Sequence, residues 1–400
     1  MKMCLYFHVH QPYRVKKFNF FDIGKDKDYF KTEDIKQCNK TIFKKVASKC
    51  YLPANKVFLD ILKKHKDFKM AFSITGVFLE QAEQFDKKVL TSFKKLIDTG
   101  RVEILAETYH HSLAFLYSKD EFLSQVKLHD DKIYKLFGVK PKVFRNTELI
   151  YNNDLAQFVK NMGYKGILSE GVDRILGWRS PNFLYKAKGS NLPLLLKNYK
   201  LSDDIAWRFG EKGWKDHPLS SSKFIKWVNE HEGNGEVVNL FMDYETFGEH
   251  QWEDTGIFEF LKHIPEEFLK DKNNSFVTPS EAIDNLNIHD TLDIKEYITW
   301  ADENRDLTAW LGNSMQTQAS DRIYKLEESI KQINSPATVK DWRRLTTSDH
   351  VYYMCTKWFN DGDVHKYFSP YESPYEAFIS FMNAVSDLEM RVEKKMLVKK

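Results

Sequence analysis

Apolar and polar positions follow a long-range rhythm through the first two-thirds of the chain. Short apolar runs at 3–9, 69–74, 102–106, 142–145, 164–169, 237–242 and 276–278 read as buried strands. Between them the spacing turns helical. Leu79, Ala82, Phe85, Val89, Phe93, Leu96 and Ile97 form one stripe that Gly100 ends. Ser118 and Glu121 make a capping box for a helix carrying Phe122, Val126, Ile133 and Leu136, and Gly138 closes it. Asn152 caps a helix carrying Leu155, Phe158, Val159 and Met162. Helical spacing also recurs at 46–65, 221–232, 253–264 and 279–286. Residues 13–40 have no period and read as a long loop. Residues 170–219, rich in Gly, Pro and Trp, read as an excursion over the mouth of the fold. Strand–helix alternation over 1–288 predicts an α/β fold with a parallel sheet and right-handed crossovers, an incomplete TIM-like barrel of six or seven units. Strand signals then fade. Residues 293–310, 315–333 and 374–395 read as helices, so 289–400 is expected to be a helical bundle.

Composition narrows the function classes. Hydrophobic residues make up 42%, charged residues 29%, and the net charge is +3. That balance gives no electrostatic case for nucleic acid. No stretch reaches the ~20 apolar residues of a membrane span. The N-terminal apolar run is too short for a signal peptide and is broken by His8 and His10. Four cysteines without a Cys-x-x-Cys pair read as reduced thiols, which predicts a cytoplasmic protein. Aromatic residues reach 14%, enough for a Phe-rich core, a sugar-stacking cleft, or both.

Candidate chemistry collects at strand ends. His8 and His10 follow the first strand, Glu107, His110 and His111 the third, Arg145 and Glu148 the fourth, Asp243 and Glu245 the sixth. Parallel strands bring such residues to one mouth. Paired carboxyl groups there fit glycoside hydrolysis, with one protonating the leaving oxygen and the other attacking C1 or activating water. A Glu beside an Arg is held ionised, which suits a nucleophile. A carboxyl among Tyr244, Phe247 and Trp252 is held protonated, which suits a general acid. Two rivals stay open. Four histidines with carboxylates could hold zinc, as in barrel-like polysaccharide deacetylases, although the chain has no His-x-x-x-His or His-Glu-x-x-His. A catalytically inactive glucan-binding barrel is the other.

Five blocks, in order, carry a family resemblance. They are His8-Val9-His10-Gln11-Pro12, then Glu107-Thr108-Tyr109-His110-His111, then Phe144-Arg145-Asn146-Thr147-Glu148-Leu149. The fourth is Phe241-Met242-Asp243-Tyr244-Glu245-Thr246-Phe247-Gly248 and the fifth Thr299-Trp300-Ala301-Asp302-Glu303-Asn304-Arg305-Asp306-Leu307. Together they resemble glycoside hydrolase family 57, in its α-amylase-type subgroup. The resemblance implies a (β/α)7 barrel followed by a helical bundle. It also implies retaining cleavage of α-1,4-glucans such as starch, glycogen or maltodextrins, with no metal or other cofactor. The family's nucleophile falls on Glu148 and its general acid/base on Asp243. The run Asp203-Asp204 with Trp207 becomes a substrate-side segment. Trp300, Glu303, Asp306 and Trp310, at helical spacing, are expected to form one face, with Trp300 and Trp310 lining a glucan cleft. Glucanotransfer or branching on the same glucans is the alternative activity.

Overall fold

Strand β1 (Lys2–Val9) is buried along nearly its whole length and is the spine of the fold. A computed structural model describes residues 1–26, 28–357 and 369–399. Its further strands are β2 (Met70–Ile74), β3 (Val102–Ile104), β4 (Val143–Phe144), β5 (Gly166–Glu170), β6 (Tyr185–Ala187), β7 (Pro193–Lys197), β8 (Val237–Asp243), β9 (Ser275–Phe276) and β10 (Asp290–Leu292). One sheet runs β3-β2-β1-β8, with β9 also on β1, and every pairing in it is parallel. The other runs β10-β6-β7-β5-β4, with β6 and β7 antiparallel.

The edges of the two sheets meet at two seams. Ala106 donates its N–H to the Val143 carbonyl at 3.0 Å, and Arg145 donates back to Ala106 at 2.8 Å. At the other seam Asn198 donates to the Asn239 carbonyl at 2.9 Å, and the Asn239 amide donates to the Leu196 carbonyl at 2.9 Å.

Alternation along β1 decides what reaches the site. Cys4 and Tyr6 join Leu105, Val143, Leu168, Leu195 and Phe241 in one buried cluster. Phe7 points the other way, into a ring cluster with Phe58, Phe72, Tyr244 and Phe247. By the same period of two, His8 and His10 extend the Tyr6 face past the strand end. Their rings stack at 5.8 Å with 15° between planes.

Two expectations need correction. The 170–219 excursion contains β6 and β7, and β7 pairs in parallel with β5. Its three leucines, Leu194 to Leu196, are fully buried, so a core strand lies inside a stretch whose composition resembles a loop. Residues 293–310 are not one helix. Ile298 forms an antiparallel bridge with Tyr151, Asp302 and Arg305 take left-handed φ values of 55° and 48°, and helix appears only at Thr308–Leu311.

The chain divides into two compact units. One comprises residues 1–10, 43–107 and 128–300, and holds all ten strands described above. The other comprises 11–42, 108–127 and 301–400. In the second unit the helix Pro374–Lys399 carries Asp387, whose carboxylate is fully buried. It accepts from the Tyr29 hydroxyl at 2.6 Å and from the Gly24 N–H at 2.7 Å, tying the long 11–42 segment to the C-terminal helices. No helix among the described residues is long and apolar enough to cross a membrane.

Candidate active site

The first unit gathers Glu148, Arg145, Glu107 and Trp300 at the end of the β3–β4 seam. Glu148 sits in a one-turn 3-10 helix, Thr147–Leu149, directly after β4. Its φ is 56° and that of Leu149 is 51°. Left-handed backbone at two successive residues with side chains costs about 1–3 kcal/mol each and persists only where the surroundings enforce it. Asn146 helps, donating its amide to the Ile150 carbonyl at 3.1 Å across the turn. Trp300 grips the residue twice. Its indole N–H donates to Glu148 Oε2 at 2.7 Å, and its backbone N–H donates to the Glu148 carbonyl at 3.3 Å.

Cations flank that indole. The Arg145 guanidinium lies 5.0 Å and the Lys197 ammonium 5.4 Å from the ring centroid. Arg145 is fully buried and 3.9 Å from Glu107, which is itself fully buried. Two such charges are tolerable in the interior because they oppose each other. Glu107 also faces His8 Nδ1 at 3.8 Å. That same nitrogen is 3.0 Å from the Ser73 hydroxyl, which is 2.6 Å from the Tyr6 hydroxyl. Burial, first of all, holds the Tyr6 phenol protonated well above its usual range.

Asp243 ends β8, in register with His8 of β1. It leads into the 3-10 turn Tyr244–Thr246. A π-helical turn, Ala47–Tyr51, clamps this loop from outside the sheet. Cys50 Sγ donates to the Tyr244 carbonyl at 3.3 Å, the Tyr51 hydroxyl to Glu245 Oε1 at 2.5 Å, and Lys45 pairs with Glu249 at 2.5 Å. Gly248, at φ 113°, presses so close to Lys49 that a β-carbon there would lie 2.0 Å from its carbonyl oxygen. π-Turns are rare and concentrate at functional sites. Glu245 is buried, and its pKa is pushed up to about 8, by burial first and then by the charge of Asp243.

Tyr244, a substrate-binding candidate by its place among the carboxyls of the fourth block, does not face substrate. It is fully buried in the ring cluster, 5.0 Å from Phe72, with its hydroxyl donating to Asn55 at 2.6 Å. A tyrosine supplies both apolar area and one polar handle, and here both are spent inside. His10 stays half-buried at the strand end, 2.9 Å from the Thr75 hydroxyl.

The 203–207 segment is arranged around ion pairs. Buried Lys197 lies 3.2 Å from Asp203 and 3.6 Å from Glu170. Asp204 pairs with Arg208 at 2.7 Å, while burial raises its pKa. Trp207 is 47% exposed and stacks on His250 at 6.0 Å. Burial lowers the His250 pKa to about 4, so the imidazole under the indole is neutral at physiological pH.

Three expected site residues belong to the second unit. His110 is buried, and its pKa is pushed well down by burial and then by the charges of Arg343, Arg344 and Lys340. His111 is buried at φ 51° and accepts from the Ser348 N–H at 2.9 Å. Trp310 is 1% exposed, 5.9 Å from the Tyr352 ring, and shares no helix with Trp300. Its surroundings are those of a core tryptophan, which corrects the expected two-indole face.

Sequence reasoning missed Lys197, Ser73 and Tyr51. Lys197 ends an apolar run, the same signal that flagged the other strand ends, but that run lay in the supposed excursion. Tyr51 sits inside a helical stretch, 194 residues from its partner Glu245, and carries no local signal.

Parallel strands deliver carboxylates and an imidazole to their ends, and the segment bridged at Ile298 adds an indole donor, an arrangement that suits a glycosidase on a mixed α/β scaffold with a helical C-terminal region. The chain belongs to glycosyl hydrolase family 57, whose profile matches residues 4–295. It is 42% identical over 407 residues to a Methanocaldococcus jannaschii protein named "Putative alpha-amylase", covering 98% of this chain and 85% of that one. Two solved structures share the fold at 14% identity. The branching enzyme of Pyrococcus horikoshii has a TM-score of 0.72, covering 96% of this chain and 88% of that chain. The 4-alpha-glucanotransferase of Thermococcus litoralis has a TM-score of 0.65, covering 88% of this chain and 58% of that chain.

Proposed function

We propose that the protein hydrolyses α-1,4-glucosidic bonds of starch, glycogen or maltodextrins in the cytoplasm, with retention of configuration. In the first step a Glu148 carboxylate oxygen bonds to C1, the glycosidic C1–O bond breaks, and the leaving oxygen takes the proton of Asp243. In the second, Asp243 removes a proton from water, the water oxygen bonds to C1, and Glu148 is released. Neither step calls for a metal. The observation that carries this reading is the indole N–H on Glu148 Oε2. It fixes the plane of the carboxylate that is to attack C1. His10, Asp203, Asp204 and Trp207 supply polar and stacking contacts for the sugar, and the buried His8, Glu107 and Arg145 set the charge behind them.

Proton NMR of maltoheptaose digestion tests it. The α-anomer should appear first, with products shorter than the substrate. A β-anomer first would refute Glu148 as nucleophile. Products longer than seven units would move the reading to chain transfer, which the names of the two solved structures favour. Complete loss in EDTA restored by zinc would favour deacetylase chemistry instead.

Trp300→Phe should keep the fold and lower kcat/KM by about 10- to 150-fold, the worth of a hydrogen bond to a charged group. An unchanged kcat/KM would remove the indole from the mechanism.

A further inference from the structure

Strand β1 leads through His8-Val9-His10, and its neighbour β2 leads through Ser73-Ile74-Thr75. The two pair in parallel, with His8 opposite Ser73 and Val9 opposite Ile74. The strand period of two then puts both imidazoles and both hydroxyls on one face. Two rungs result. His8 Nδ1 is 3.0 Å from Ser73 Oγ, and His10 Nδ1 is 2.9 Å from Thr75 Oγ1. Ser73 and Thr75 are fully buried, so each hydroxyl hydrogen needs an acceptor inside the protein.

Those hydrogens fix which way each rung points. A serine or threonine hydroxyl has one hydrogen to give and two lone pairs to accept with. Among the described residues the Tyr6 hydroxyl has one hydrogen-bond partner, Ser73 Oγ at 2.6 Å, and burial keeps the phenol protonated. The phenol hydrogen therefore goes to Ser73 Oγ, and the Ser73 hydrogen goes on to His8 Nδ1. The reverse direction would leave the phenol hydrogen buried without an acceptor. Thr75 caps the helix Gly76–Phe85, and its Oγ1 accepts from the Phe78 N–H at 3.3 Å. Its own hydrogen has one acceptor among the described residues, His10 Nδ1. Glu107, 3.8 Å from His8 Nδ1, is too far for a hydrogen bond and is opposed by Arg145 at 3.9 Å.

We propose that Ser73 and Thr75 are positioning residues that hold His8 and His10 as neutral imidazoles with the proton on Nε2, so that His10 meets the sugar as a donor to a hydroxyl oxygen. The inference rests on the sugar contact given to His10 above. The two nitrogens of an imidazole are linked: a hydroxyl hydrogen on the Nδ1 lone pair leaves the ring's own proton on Nε2. A sugar hydroxyl can both give and accept, so an imidazole with a choice of tautomer would fit it in either sense. The hydroxyls of β2 remove that choice before the sugar arrives, which is preorganisation. The stacked rings, 5.8 Å apart, also stay uncharged, so no like charges lie side by side.

Nitrogen-15 NMR of the full-length protein, labelled on histidine, tests the assignment without any activity. Near pH 7 both residues should show an unprotonated Nδ1 and a protonated Nε2, identified by the signals missing from His8→Gln and His10→Gln. A protonated Nδ1 at either residue, as the other tautomer or as imidazolium, overturns the proposal. Tyr6→Phe does not touch His8 but frees Ser73 to accept. The His8 Nδ1 signal should then move toward the protonated form while that of His10 stays, and no change at His8 would overturn the relay. Thr75→Asp keeps the helix cap but offers His10 acceptor oxygens alone, so Nδ1 of His10 should take a proton. Thr75→Ser keeps the hydroxyl and should keep the wild-type signal. An unprotonated Nδ1 in Thr75→Asp would make Thr75 merely structural and overturn its role. The sugar contact is read separately, by adding maltoheptaose to Glu148→Ala, which cannot turn it over. The His10 Nε2 signal should shift and stay protonated. Loss of that proton would overturn the donor role, whereas no shift at all would refute the sugar contact while the tautomers of the free protein still stand.

Discussion

Glu148→Ala should be inactive on starch and on an α-maltooligosaccharide with a nitrophenyl leaving group alike. Without the carboxylate no glycosyl-enzyme forms, whatever departs from C1. Asp243→Ala should behave differently. Starch needs a proton on its leaving oxygen, and that activity should fall by about 10²–10⁴-fold or more. Nitrophenolate leaves unaided, so the first step on the nitrophenyl substrate should survive. The second step then lacks its base, and the glycosyl-enzyme should accumulate. Azide, which needs no deprotonation, should release it with retention. Mass spectrometry of Asp243→Ala after incubation is the direct assay. An adduct on a peptide other than the one containing Glu148, or the reverse dependence on leaving group, would mean the two roles are exchanged.

Gly248→Ala should be among the most damaging single-methyl substitutions in the first unit. The new β-carbon would meet the Lys49 carbonyl oxygen at 2.0 Å and its carbon at 2.8 Å, at a φ of 113° that side chains rarely adopt. Both neighbours are backbone, so neither can swing aside. We expect a loss of about 3 kcal/mol or more, measured as a lower urea midpoint, together with lost activity as the turn after Asp243 shifts. Gly233→Ala is the control. It also has positive φ, 85°, but nothing lies within 4 Å of its added carbon, so only the backbone cost of about 1 kcal/mol should appear. Equal losses at both positions would show that the contact with Lys49 is unimportant.

Much of the fold was legible because strands of a parallel sheet are buried on both faces and read as unbroken apolar runs. That rule located β1, β2, β3, β5 and β8 within a few residues. It failed where composition misled. Pro193 and the asparagines beside Leu194–Leu196 disguised β7 as loop, and its burial comes from β5 and the Asn239 seam, both remote in sequence. Trp300 and Trp310 failed for the opposite reason. Their spacing imitates a helix, but the bridge from Ile298 to Tyr151 and the left-handed residues 302 and 305 turn the backbone elsewhere. At the site, the strand-end positions of Glu148 and Asp243 could be read directly. The indole on Glu148 comes from 152 residues away and the phenol on Glu245 from 194, and no local pattern records such pairings.

The bond from Tyr29 to Asp387 has a consequence for how the protein is made. Its partners are 358 residues apart. At about 5–20 residues per second, a ribosome takes roughly 20–70 s to travel from one to the other. Through that interval the 11–42 segment, with Phe20 and Phe21 largely exposed even in the finished structure, has left the ribosome without the helix that holds it. Each early segment of the second unit must stay soluble until the last helix is synthesised. The C-terminal quarter therefore cannot be cut away or exchanged as a cassette, because removing it would orphan two pieces already threaded through the first unit's sequence.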